Sequence, residues 1–238
     1  DVVFVQPEMT IALGREDNSL GIGFALDQPL AFPDFHTNVT QKLHQGYLPI
    51  VESQWQTENL TVEQTALAFL PFEEEVVTGK EKQYVVLQIR IQNQTAESQT
   101  ADLLVLLCPH LDGTQTVGLT YDVFTAPLSR WQQEQVPVKL VDQSLQWDNK
   151  VLLTYQCNKS VSATFHPEYT PKSKTSNQPD QPDRLTNCLL FTFPLAANGT
   201  QTIDLVFPGT SALYPVEERE SMAKVSFSSA LQRACDHW

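Results

Sequence analysis

Few residues in this chain are of types and spacings that do chemistry. It has five histidines, His36, His44, His110, His166 and His237. His110 and Asp112 stand two positions apart, and on an extended strand such residues share a face. An imidazole and a carboxylate so placed are an acid–base pair. Gly113 follows at once, however, and the Asp112-Gly113 turn gives the pair a plain alternative as strand-end polar residues. Glu73, Glu74 and Glu75 follow Pro71 and read as a solvated turn rather than a metal or catalytic cluster. Cleavage of a glycosidic bond needs two carboxyl groups across a cleft, and no acid pair stands out. Aromatic residues are the better candidates for touching a ligand. Trp55, Trp131, Trp147, Tyr47 and Phe35, with Phe32, could stack on sugar faces. Indole and phenol combine an apolar body with a polar edge that suits such surfaces. The competing place for each is the core or a domain interface.

Other signatures are missing. Gly21-Ile22-Gly23 has no third glycine and no following helix, so it is not a dinucleotide fingerprint. There is no Gly-x-Ser-x-Gly elbow and no His-Glu-x-x-His pair. No metal and no cofactor is expected. The four cysteines, Cys108, Cys157, Cys188 and Cys235, form no Cys-x-x-Cys unit. Cys157 and Cys188 flank a polar loop and could bridge its base, with free buried thiols as the equal alternative. Cys108 ends an apolar run and reads as core. Asn-x-Ser/Thr sequons begin at Asn38, Asn59, Asn93, Asn158 and Asn198. They are glycan acceptors only in a secretory eukaryotic setting.

The elements that must position these residues are strands. Residues 2–5, 9–13 and 22–26 read as strands, the last two as a hairpin. Residues 30–38 read as a loop. Residues 47–55 and 60–70 read as an antiparallel pair. Leu60, Val62, Gln64, Ala66 and Ala68 share one face of the second strand, with Thr61, Glu63, Thr65, Leu67 and Phe69 on the other. Residues 83–91 alternate as a half-buried strand. Residues 101–107 form a continuous apolar run, expected to be buried on both faces and paired with 83–91. Further strands are expected at 116–125, 145–157, 161–165, 188–193 and 202–207. Residues 170–184 hold three prolines and no apolar side chain, which predicts a mobile loop. Residues 214–222 start on a proline-marked stretch and become helical. Ser228 or Ser229 caps a final helix. Together this is an all-β fold, a large two-sheet antiparallel sandwich with a short C-terminal helix.

The chain has 238 residues, 15 Lys and Arg against 28 Asp and Glu, and a net charge of −13. Nucleic-acid binding and docking on an anionic membrane both need clustered positive charge, so neither is expected. No run approaches a membrane-spanning helix. The chain opens on Asp1 with no signal-peptide pattern, and its last helix has no stop signal. A processed or excised piece is the expectation, with 1–227 as the sandwich and 228–238 as the start of a linker helix to a further domain. A periplasmic or secreted location is expected, with a cytoplasmic one left open.

Four stretches and their order carry a resemblance, the last being the helix start Ser228–Trp238. The other three are Gly46-Tyr47-Leu48-Pro49-Ile50-Val51-Glu52-Ser53-Gln54-Trp55, Val62-Glu63-Gln64-Thr65-Ala66-Leu67-Ala68, and residues 84–95 running into the 101–107 strand. With the helix start at 228–238, the chain resembles the N-terminal β-supersandwich domain of bacterial glycoside hydrolases that carry an (α/α)6 six-hairpin catalytic barrel. The resemblance covers about half of the chain. It implies a non-catalytic accessory domain of a carbohydrate-active enzyme, packed on a helical catalytic domain in the same polypeptide. The acids that cut the bond would lie in that barrel, so no catalytic residue is carried over. A free-standing carbohydrate-binding module or lectin is the alternative. An aldose-epimerase-like enzyme comes third, because the superfold also resembles galactose mutarotases. The His and Glu constellation of those enzymes does not map onto His36, His44, His110 or His166.

Overall fold

The computed structural model describes residues 3–7, 9–13, 20–34, 36–70, 82–109, 138–173, 183–209 and 214–237. In chain order the strands are β1 (Val3–Val5), β2 (Ile11–Leu13), β3 (Leu20–Asp27), β4 (Leu30–Ala31), β5 (Val39–His44), β6 (Leu48–Gln56), β7 (Leu60–Phe69) and β8 (Tyr84–Asn93). They continue with β9 (Gln99–Pro109), β10 (Val138–Val141), β11 (Ser144–Trp147), β12 (Lys150–Cys157), β13 (Ser162–Tyr169), β14 (Leu185–Leu195), β15 (Thr200–Pro208) and β16 (Tyr214–Pro215). A 3-10 turn (Val216–Glu218) leads into α1 (Arg219–Ala223) and then α2 (Phe227–His237). One sheet has seven strands in the order β1-β2-β3-β9-β14-β13, with β4 on β3. The other has nine, ordered β10-β11-β12-β15-β8-β7-β6-β5, with β16 on β12. All the pairings are antiparallel. The chain is thus the all-β, two-sheet sandwich expected from its alternation.

Side-chain period explains where the core lies. On β8, Val85, Leu87, Ile89 and Ile91 point between the sheets, while Tyr84 and Val86 point outward. β7 divides in the same way, with Leu60, Val62 and Ala66 inward and Leu67 outward. On β9, Leu103, Val105 and Leu107 face the other sheet, and Leu104 and Leu106 lie in a separate cluster on the outer side. A strand buried on both faces reads as an unbroken apolar run. β8 and β9 do not pair with each other, contrary to expectation. β8 lies between β7 and β15, and β9 lies between β3 and β14 in the opposite sheet. The link between them crosses from one sheet to the other, and face-to-face packing replaces the expected hydrogen bonding.

Four further details depart from the sequence reading. Residues 39–44, left unassigned, form the edge strand β5. Residues 145–157 are two strands, because the chain reverses at Asp148, which has φ 53°. The final helix is capped two residues early, by Ser226, whose hydroxyl accepts the Ser229 N–H at 3.3 Å. Phe227 and Ala230 then bury against the outer face of the nine-stranded sheet with Leu67, Val86 and Val206. The beginning of the 170–184 stretch is tied down, as detailed below, and its residues 174–182 lie outside the described residues. The strand expected at 116–125 also lies outside them. All four cysteines are free thiols. The bridge considered between Cys157 and Cys188 is absent: Cys157 packs on the inter-sheet core, while Cys188 points to the outer side of the seven-stranded sheet. No helix among the described residues is long and apolar enough to cross a membrane.

Candidate functional site

The aromatic candidates separate sharply. Trp55 sits on β6 facing inward and is fully buried among the inter-sheet residues. Its indole N–H has no hydrogen-bond partner among the described residues. Trp147 closes β11 and is 9% exposed in the same cluster. Both are core residues, and neither presents a ring face to solvent in this fold. Tyr47 is 66% exposed at the tip of the β5–β6 hairpin. Gln45 and Gly46 before it take positive φ, which turns the chain sharply and presents the ring to solvent. Phe35, Trp131, His110 and Asp112 lie outside the described residues.

The same hairpin holds an imidazole–carboxylate pair that sequence reasoning missed. His44 Nδ1 lies 2.6 Å from Glu52 Oε1, and Lys42 Nζ lies 3.2 Å from Glu52 Oε2. The imidazole hydrogen bond, joined by Lys42, holds the Glu52 carboxyl below its ordinary range against the opposing pull of burial. Eight residues separate His44 from Glu52, and only the β5–β6 register brings them together. Assigning β5 from the sequence would have revealed the pair. Across the outer face of this sheet run further polar rows. Thr40, Gln54, Glu63, Arg90 and Thr202 are successive cross-strand neighbours, as are Lys42, Glu52, Thr65, Gln88 and Asp204. Arg90 donates to Glu63 at 3.0 Å and Gln88 to Asp204 at 2.9 Å. The outer face thus has an apolar patch under α1 and α2 and polar rows beyond it, with Asp204 and Gln156 bonding the helical segment at the margin.

A second polar cluster sits on the outer side of the seven-stranded sheet. Asp27 and Asp102, from β3 and β9, are at most 1% exposed. Asp27 accepts the Tyr169 hydroxyl at 2.6 Å and the Lys172 backbone N–H at 3.0 Å. Asp102 accepts the Thr192 hydroxyl at 2.6 Å and pairs with the Lys172 ammonium. That contact raises the Lys172 pKa, while burial and the bond to Asp27 push the Tyr169 phenol far up. Both shifts favour the protonated forms, so neither group is primed as a base. His166 packs its ring edge-on to Tyr169, with centroids 5.2 Å apart. Asp102 carried no warning in the sequence, because it lies inside the apolar run of β9.

The sequons gather at one end of the sandwich, where β5, β7, β13 and β15 begin. Asn93 is fully buried and donates to the Glu97 and Ala196 carbonyls at 2.7 and 2.9 Å. Its amide is thus committed to the fold and closed to a glycan. Asn59, Asn158 and Asn198 are exposed. A depression of about 360 Å³ lies nearby, lined by Ser98, Gln99, Thr100, Pro194, Leu195 and Ala196. None of these side chains is an acid or a base, so the depression offers no proton transfer. Among the described residues no group of three His, Cys, Asp or Glu is placed to hold a metal ion. A scan against protein-family models finds no match, and a search of curated proteins finds no similar sequence.

Proposed function

We propose that the chain is an accessory β-sandwich domain of a multidomain carbohydrate-active enzyme of the glycoside hydrolase class, packing on a helical catalytic domain. The observation that carries this reading is the division of the nine-stranded sheet's outer face. Helical segments already dock on it through Met222, Phe227 and Ala230. A sheet face with such a seat is built to receive helices. The supersandwich resemblance of the 46–55, 62–68 and 84–95 stretches supplies the class. In this reading the domain contributes surface and support, and the bond-breaking carboxylates belong to the helical partner. The test is a panel of α- and β-glycosides incubated with the purified chain and with the full-length polypeptide. Turnover is expected only from the latter. Hydrolysis by the chain alone overturns the reading.

One observation favours a carbohydrate-binding module instead, the solvent-facing ring of Tyr47 beside the His44–Glu52 pair. That reading expects saturable binding to a glycan panel, weakened by Tyr47→Ala. A flat titration removes it.

A further inference from the structure

The Asp27–Asp102 cluster does more than stabilise β3 and β9. Besides Thr192 and Gln28, its donors come from the end of β13 and the segment that leaves it, residues 169–173. Tyr169 and the Lys172 N–H bond Asp27, the Lys172 ammonium pairs with Asp102, and the Ser173 carbonyl accepts the Leu30 N–H at 3.0 Å. Beneath lies an apolar strip on the outer side of the sheet, including Ala25, Leu30, Leu104, Leu106 and Cys188. The segment is therefore a strap: Tyr169 anchors it at the end of β13, with its ring buried in this same strip, and residues 170–173 beyond it are attached through polar bonds among the described residues. Lys172 itself is 56% exposed along its side chain, so water already reaches the closing contact from one side.

We propose that residues 169–173 form a latched strap, closed by the Lys172–Asp102 ion pair, which can open without unfolding the sandwich and lay bare the Ala25–Leu104–Leu106–Cys188 strip. The balance of forces supports local opening. The sheet below is held by the long β3–β9 and β9–β14 ladders. Among the described residues the strap is held by the Tyr169 ring, by bonds to two carboxylates and by the Ser173 carbonyl, and regions with few apolar anchors open at lower free energy than the ladders beneath them. The inference is independent of the function proposed above.

Two groups report the latch directly. The Leu30 amide is protected from hydrogen exchange by the Ser173 carbonyl, and the Cys188 thiol is fully buried under the strap's cluster. Exchange at Leu30 is measured in the wild-type chain, with Leu104 and Leu190 as ladder references. Cys188 labelling by 4,4′-dithiodipyridine is measured with Cys108, Cys157 and Cys235 replaced by Ser. Leu30 exchange and Cys188 labelling are expected to depend only weakly on urea, unlike the ladder amides. Lys172→Met and Asp102→Asn should speed both by about ten-fold or more, the scale of a charge-assisted bond to a buried carboxylate. Lys172→Arg should restore most of the protection. Arg184→Met, which removes the exposed Glu168 pair, should change neither. The proposal is overturned if Leu30 shares the urea dependence of Leu104 and Leu190. It is equally overturned if Lys172→Met leaves the Leu30 rate within two-fold. The Leu30 reading stands even if the cysteine-substituted chain fails to fold.

Discussion

Phe191 and Tyr155 test whether the two sheets are joined by specific ring packing or only by apolar bulk. Phe191 projects from β14 and Tyr155 from β12, in opposite sheets. Their rings meet edge to face, with centroids 5.1 Å apart and planes at 86°. Phe191 is fully buried and Tyr155 is 8% exposed. Replacing either ring with Leu keeps an apolar side chain but removes the ring contact and leaves unfilled volume. Each single change should cost about 1.5–3 kcal/mol, combining a cavity contribution with the loss of an aromatic pair. Only the first replacement loses the pair interaction, so the double variant should cost less than the two singles together. The expected difference is about 0.5–1.5 kcal/mol. Urea unfolding followed by tryptophan fluorescence measures it, since Trp55 and Trp147 lie in the same inter-sheet cluster. Each kcal/mol should also lower Tm by about 2–4 °C at this chain length. Costs that add to within about 0.3 kcal/mol would show that the rings do not interact, and the inter-sheet contact would have to be assigned to bulk burial.

Four other expectations use the same unfolding assay. Asn93→Ala should cost about 1–3 kcal/mol, because it removes a fully buried amide that donates to the Glu97 and Ala196 carbonyls and accepts the Thr95 N–H; a loss under about 0.5 kcal/mol would contradict the bonding described. Glu52 has its pKa lowered chiefly by His44, so its contribution is fully present above pH 4.5 and fades as pH falls through the lower folded value. Glu52→Gln should therefore flatten the acid-side loss of stability, and an unchanged pH profile would refute the pairing. Gly209→Ala should destabilise by about 1–3 kcal/mol, since an added Cβ meets the Gln83 carbonyl carbon and oxygen at 2.9 Å. Gly46→Asn should be milder: its φ of 84° disfavours side chains, Asn tolerates that region, and no atom lies within 4 Å.

What was legible in the sequence followed the period of the side chains. The alternation of Val85, Leu87, Ile89 and Ile91 set one strand and its inward face, and the run from Ala101 to Leu107 set a strand buried on both sides. Partner choice was not legible, because nothing in either pattern says which sheet a strand joins. Both strands lie where burial requires, yet they hydrogen-bond to other neighbours. β5 was missed because Thr40, Gln41 and Lys42 have no buried face to declare. An edge strand with polar residues on both sides reads as a loop. Trp55 and Trp147 were ambiguous for a related reason. A tryptophan satisfies a core and a binding surface equally well, and only the inward direction of β6 and β11 decides between them.

The polar clusters were hidden by sequence distance. Asp27 and Asp102 are 75 positions apart, and Lys172 lies a further 70 beyond Asp102. Their meeting depends on β3 and β9 being neighbours and on the chain folding back after β13. His44 and Glu52 needed a single hairpin, and Glu63 and Arg90 one ladder beyond that. Such pairs stay invisible until register is known, and register in this sheet is set by its buried face. The apolar side chains that anchor Trp55, Val62 and Ile91 inward are therefore what aligns Gln54, Glu63 and Arg90 outward. A change that slipped β6 by one residue would turn Trp55 to solvent and Gln54 into the core, and the row with Glu63 and Arg90 would be lost with it. The polar surface of this domain is thus a consequence of its core, and substitutions at Trp55 should disturb the outer face that they never touch.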